Sequence, residues 1–129
     1  MADRPLGIAF FGAGDVSPLH AEGVRLCADA ELRGLWNVTA EMGQQKAADF
    51  ACRTYETPEE LLTDPTVDAV SVLTNLETHL EYASMALEAG KHVLVEKPVG
   101  VSVAEIESLQ QLAQRCGRVC MPAHNFIHE

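Results

Sequence analysis

The sequence predicts a doubly wound α/β domain built on a parallel, six-stranded sheet. Three observations predict it. Short apolar runs of strand length alternate with segments of helical periodicity along the whole chain. Several helical segments carry start signals, at Ser17-Pro18, at 57–60 and at 102–105. Glycines punctuate the turns, at 12, 14, 90 and 117. Strict strand–helix alternation calls for crossover connections, and those join parallel strands.

Leu6-Gly7-Ile8-Ala9-Phe10-Phe11 is a continuous apolar run, the pattern of a strand buried on both faces. Gly12-Ala13-Gly14 breaks it. Ser17 followed by Pro18 reads as an N-cap and first helical residue, opening a helix to about Ala28. Residues 32–36 form a second strand, and Thr39 is placed to cap a helix reaching about Ala51. A brief third strand fits 53–56. Thr57-Pro58-Glu59-Glu60 is a capping box that opens a short helix ending before Asp64-Pro65. Residues 69–73 are rich in β-branched side chains and make the fourth strand. A helix follows over 78–89, with Gly90 at its end, and 92–95 is the fifth strand. Ser102-Val103-Ala104-Glu105 is another capping box; behind it Ile106, Leu109, Leu112 and Ala113 repeat at helical spacing until Gly117. Residues 118–121 make the sixth strand, and Pro122 places it at an edge or strand end.

All 129 residues fit one domain, spanning 1–129. Nineteen acidic residues against nine basic ones give a formal charge of −10, which disfavours nucleic acid and anionic membrane surfaces as partners. The apolar run near the start is far shorter than the roughly 20 residues of a spanning helix, and it lacks a cleavage-site pattern. A cytoplasmic protein is expected. The four cysteines form no C-x-x-C pair and read as small core residues. Cys116, Cys120, His124 and His128 recur every four residues, but Gly117 and Pro122 interrupt the single helix that metal ligation would need, so no metal is expected.

Six strands in this order match the dinucleotide-binding topology. Gly12-Ala13-Gly14-Asp15-Val16-Ser17 reads as G-x-G-x-x-S directly after the first strand and before a helix. Gly12 permits the tight turn, Gly14 lets backbone approach a pyrophosphate, and the following helix offers a positive end to it. Asp15 suits such a site only with its side chain turned to solvent. The acidic residue that usually holds a ribose 2′-hydroxyl is replaced by Asn37, and no Arg or Lys follows at once. NAD and NADP therefore both stay open, and Asn37 also reads as a turn residue. The fifth strand delivers Glu96-Lys97-Pro98 at its carboxyl end, the edge where open α/β sheets bind ligands. His20 and His79 sit near helix starts and read first as packing residues.

Taken together, these segments resemble the N-terminal domain of the Gfo/Idh/MocA oxidoreductases, the glucose-fructose oxidoreductase and inositol dehydrogenase group. The resemblance is carried by Gly-x-Gly-x-x-Ser-x-x-His ending at His20, by Thr74-Asn75 leading to His79, and by residues 89–98. It implies NAD(P)-dependent hydride transfer at a sugar or cyclitol carbon. By the resemblance, the turn Gly12, Ala13, Gly14, Asp15 and Val16 would lie at the pyrophosphate and Asn37 at the adenosine ribose. Thr74, Asn75 and His79 would line the cofactor, Glu96 would approach the nicotinamide ribose, and Asn125 would stand near the nicotinamide. Lys97 would orient substrate and assist proton movement. Two departures stand out: Thr74-Asn75 replaces the family's Thr-Pro step, and Phe126 follows His124-Asn125 where an Arg is common. Family members continue into a second α+β domain that supplies the substrate pocket. Without it the resemblance implies the cofactor half of an enzyme, working with a missing or separate substrate domain and prone to self-association. A non-catalytic module that binds or senses a dinucleotide and acts through a partner protein is the alternative. An apolar docking face would favour the former, a polar face the latter.

Overall fold

The computed structural model describes residues 4–97 and 102–123. Six strands, β1 (Leu6–Phe11), β2 (Ala30–Trp36), β3 (Arg53–Thr54), β4 (Ala69–Val72), β5 (His92–Glu96) and β6 (Cys120–Ala123), form one parallel sheet in the order β3-β2-β1-β4-β5-β6. Between them run α1 (Ser17–Leu26), α2 (Ala40–Phe50), α3 (Pro58–Thr63), α4 (His79–Glu88) and α5 (Val103–Cys116), with a short 3-10 turn at Leu76–Thr78. This is the Rossmann topology.

The pleat sorts the core into two layers. Ala9, Phe11, Val70, Val72, Val93 and Val95 point to the face covered by α3, α4 and α5, where Leu61, Leu87 and Leu109 are fully buried. Phe10 and Leu35 point the other way, into a smaller layer with Ala47 and Phe50 of α2 and Ala21 of α1. The two faces explain why β1 reads as an unbroken apolar run.

Several local expectations are corrected. Ser17 is the first residue of α1 rather than its cap; Val16 holds the cap position, and the Ser17 hydroxyl donates back to the Gly14 carbonyl at 2.7 Å. Thr39 precedes α2, but its hydroxyl makes no capping bond. The helix expected from 78 begins with the 3-10 turn. The boxes at Thr57 and Ser102 do cap, accepting from the Glu60 and Glu105 N–H groups. β6 starts two residues later than the apolar pattern suggests, because Gly117 turns left-handed (φ +64°) and the Arg118 N–H closes the end of α5 on the Ala113 carbonyl. Pro122 then sits on β6, an edge strand paired only with β5, where a missing donor is tolerated. Among the described residues no helix is long and apolar enough to cross a membrane.

Two predictions follow from this framework. Ala51 ends α2 at φ +56°, where its Cβ is crowded. Ala51→Gly should stabilise the domain by about 0.5–1 kcal/mol, the left-handed strain less glycine's entropy, read as a higher urea midpoint at unchanged m. At the amino edge of the sheet, burial alone would raise the Asp64 carboxyl. Hydrogen bonds from Thr66 (hydroxyl 2.6 Å, N–H 2.8 Å) and the Tyr55 hydroxyl (2.6 Å) outweigh it and hold Asp64 at about 2. Its contribution is therefore complete above its ordinary value of 3.8 and is lost as pH falls towards about 2. Urea unfolding across that acid range should show a shallower decline for Asp64→Asn than for the parent.

Candidate functional site: a crevice at the sheet's switch point

The chain leaves β1 in one direction and reaches β4 on the other side, so the carboxyl ends of these neighbours open a crevice between diverging loops. Gly12 makes the two loops compatible. Its φ is +96°, and a Cβ there would stand 2.9 Å from the Leu73 carbonyl carbon and the Thr74 nitrogen. Its N–H donates to the Trp36 carbonyl at 2.7 Å, while the Leu73 N–H donates to the Phe11 carbonyl at 2.7 Å. The ends of β2, β1 and β4 are thus laced together.

The crevice has a volume of about 520 Å³. Residues 12–15 form one wall, 36–39 with Met42 a second, and 73–75 with Thr78 and Tyr82 a third. Gly14 differs from Gly12: a Cβ at 14 would only reach ordinary contact, 3.6 Å from the Leu73 oxygen. Nothing in the protein's own packing requires glycine there, whereas close backbone approach to a ligand would. No side chain caps α1; the Ser17 and Leu19 N–H groups donate to the Gly14 and Val16 carbonyls and Pro18 has none, so what α1 offers an anion is the positive end of its dipole. The residues therefore fit a pyrophosphate.

Asn37 ties this turn to β2. Its Oδ1 accepts the Ala13 N–H at 2.9 Å, and its Nδ2 donates to the Thr39 carbonyl at 3.0 Å. It borders the crevice and doubles as a clamp on the loop. Asp15 lines the wall, and Val16 packs against the apolar layer behind it. Thr74 and Asn75 line the third wall; the Thr78 hydroxyl lies 2.8 Å from both Thr74 Oγ1 and the Asn75 carbonyl oxygen. His79 is only 2% exposed and stands behind this wall, its Nε2 2.9 Å from the Thr74 carbonyl oxygen. It shapes the loop rather than facing the crevice.

Glu96 and Lys97 lie at the same carboxyl edge but do not line this crevice. Glu96 Oε2 is 2.7 Å from His20 Nε2, and the two side chains are 15% and 14% exposed. The His20 ring meets Phe10 edge-on at 6.3 Å. The pair joins the end of β5 to α1. Lys97 is half-buried one residue beyond the strand. Asn125 and Pro98 lie outside the described residues, as do His124 and His128 of the four-residue repeat.

Sequence reasoning passed over four contributors. Trp36 and Tyr82 pack at 5.4 Å, each against Phe11 as well, and form an aromatic floor. Met42 is 45% exposed at the crevice wall. Gly43 lets α2 pass close to β2, since a Cβ there would lie 3.1 Å from Asn37 Cβ. A glycine inside a helix costs about 1 kcal/mol against alanine, and that cost was the available signal of a close approach.

A second crevice of about 580 Å³ lies at the opposite end of α1 and α2, lined by Glu22, Glu31 and Asp49 and by Arg25, whose guanidinium is paired with Glu22. Helix carboxyl ends and carboxylates repel an anion, so it does not compete for a phosphate.

The model of the Gfo/Idh/MocA group, described as an oxidoreductase family with an NAD-binding Rossmann fold, matches residues 6–124. The chain belongs to this family. It is 35% identical over 103 residues to UDP-N-acetylglucosamine 3-dehydrogenase of Acidithiobacillus ferrooxidans, covering 80% of this chain and 32% of the relative. It is 29% identical over 119 residues to myo-inositol 2-dehydrogenase of Thermotoga maritima, covering 92% and 36%. The crystal structure of GenD2 from gentamicin A biosynthesis in complex with NAD superposes with a TM-score of 0.92 at 33% identity, covering 96% of this chain and 36% of that one. The chain spans about a third of the length of these relatives. It is a nicotinamide-dinucleotide-binding domain of the Gfo/Idh/MocA family.

The two loop glycines make separable predictions. Gly12→Ala should cost about 3 kcal/mol or more, from positive-φ strain and the clash with β4. Gly14→Ala should leave the unfolding midpoint near the parent's and weaken NADH by at least about tenfold. Denaturation and calorimetric titration of both variants check this; equal loss of stability in the two would defeat the assignment.

Proposed function

We propose that this chain is the cofactor half of an oxidoreductase that moves a hydride between a nicotinamide dinucleotide and a sugar- or cyclitol-type alcohol or ketone. The observation that carries the reading is the switch-point crevice with its unfilled space at Gly14 and uncapped α1. The bound dinucleotide supplies the hydride chemistry. The substrate class is supported by the dehydrogenases of an amino-sugar nucleotide and of myo-inositol among the chain's relatives.

In this reading residues 12–16 hold the pyrophosphate, Asn37 borders the adenosine ribose, and Thr74 and Asn75 flank the cofactor. Glu96, locked to His20, fixes the strand end from which Lys97 leaves. Lys97 orients the substrate oxygen and assists its proton. Substrate positioning also needs groups opposite the strand ends, and a second domain, in the same polypeptide or another, is proposed to provide them. An apolar groove of about 370 Å³ between α1 and β4–β5, with Leu19 (63% exposed) and Leu94 in its walls, supports such a docking partner. A polar face there would have favoured a free-standing sensing module.

Lys97→Ala should abolish turnover in the assembled enzyme while leaving dinucleotide affinity within about tenfold. Collapse of affinity with turnover per bound cofactor preserved would contradict the role given to Lys97. NADH titration of the chain, followed by quenching of Trp36 (the sole tryptophan, in the crevice wall), tests the cofactor assignment directly.

A further inference from the structure

We propose that the crevice selects the dinucleotide lacking a 2′-phosphate, NAD(H), over NADP(H), and that residues 37–41 set the choice. This rests on the dinucleotide reading above. In this topology the adenosine ribose presents its 2′ position to the carboxyl end of β2. A phosphate there brings about −1.5 to −2 charges at pH 7 and is ordinarily gripped by Arg or Lys.

Among the described residues lining the crevice none is cationic, and Asp15 contributes a carboxylate. Past β2 the chain reads Asn37-Val38-Thr39-Ala40-Glu41. The start of α2 has no side-chain cap, and such a helix end attracts an anion. Here Glu41, in the first turn, already meets that positive end with a negative charge. The next cation along the chain, Lys46, stands roughly 9 Å further up the helix axis at 1.5 Å per residue.

Asn37 adds no positive charge of its own. One N–H of its Nδ2 serves the Thr39 carbonyl, and the other is a neutral donor that carries no net charge to offset a phosphate. Its Oδ1, accepting from Ala13, keeps a lone pair that can take a hydroxyl hydrogen but presents partial negative charge to a phosphate oxygen. A 2′-hydroxyl is therefore satisfied by neutral partners, whereas a 2′-phosphate finds no cation among the described lining residues and has the Glu41 carboxylate close by in the sequence.

The test is calorimetric titration of the chain with NADH and with NADPH at fixed salt, backed by Trp36 quenching. NADH should bind at least about tenfold more tightly. Val38 borders the crevice and is 82% exposed, so Val38→Arg adds a cation without disturbing the core. That variant, and Glu41→Gln more weakly, should lower the NADPH-to-NADH Kd ratio, Val38→Arg by at least about tenfold through tighter NADPH binding. Equal or tighter binding of NADPH by the parent overturns the proposal. A parental NADH preference that neither variant changes overturns the assignment to residues 37–41. Binding of neither coenzyme removes the dinucleotide reading, and the preference with it.

Discussion

The close passage of the β1 turn over the β4 turn is the constraint on which the rest of this site depends. Gly12 leaves no room for a side chain, and its backbone angle is one that L side chains rarely adopt. Because the two loops touch there, the Phe11 and Trp36 carbonyls can receive the Leu73 and Gly12 N–H groups, and three strand ends become one rigid rim. The crevice exists because the chain diverges immediately beyond that rim. Gly14, two residues later, then needs to be small for a ligand's sake and not for the protein's.

The rim is defended by side chains that do no chemistry themselves. Asn37 holds the glycine turn from the β2 side. His79, Thr78 and Thr74 hold the β4 side through hydroxyl and carbonyl contacts. Glu96 and His20 brace the far end, between β5 and α1. The braces come from strand ends, the loops that follow them and the first turns of helices. The sheet positions them, and they in turn position the backbone groups facing the crevice.

Much of this architecture is legible in the sequence, for identifiable reasons. β1 and β4 are largely buried on both faces and β5 on one, so apolar composition marks them. Thr57 and Ser102 cap as their boxes imply, because those interactions are local. The boundary at β6 is not legible in the same way: Val119 extends the apolar run of the strand, yet the chain at Arg118 is drawn into closing α5. Ser17 looks like a cap until Gly14 offers its carbonyl. In the site, the glycines are read from spacing, whereas the Asn37–Ala13 and His20–Glu96 pairs span 24 and 76 residues. No local pattern encodes a contact that exists only after the strands have paired. The aromatic floor of Trp36 and Tyr82 escapes for the same reason.

The Asn37 clamp has a consequence for the energetics of capture. A glycine-rich turn is the most entropically expensive stretch of backbone to freeze, and here an amide freezes it during folding. An arriving ligand meets donors already aimed, and little of its interaction energy is consumed in ordering the loop. Because a carboxamide does not titrate, that readiness is the same in mild acid as in mild base. A carboxylate at position 37 would have tied the shape of the turn to proton concentration; the amide keeps the two independent.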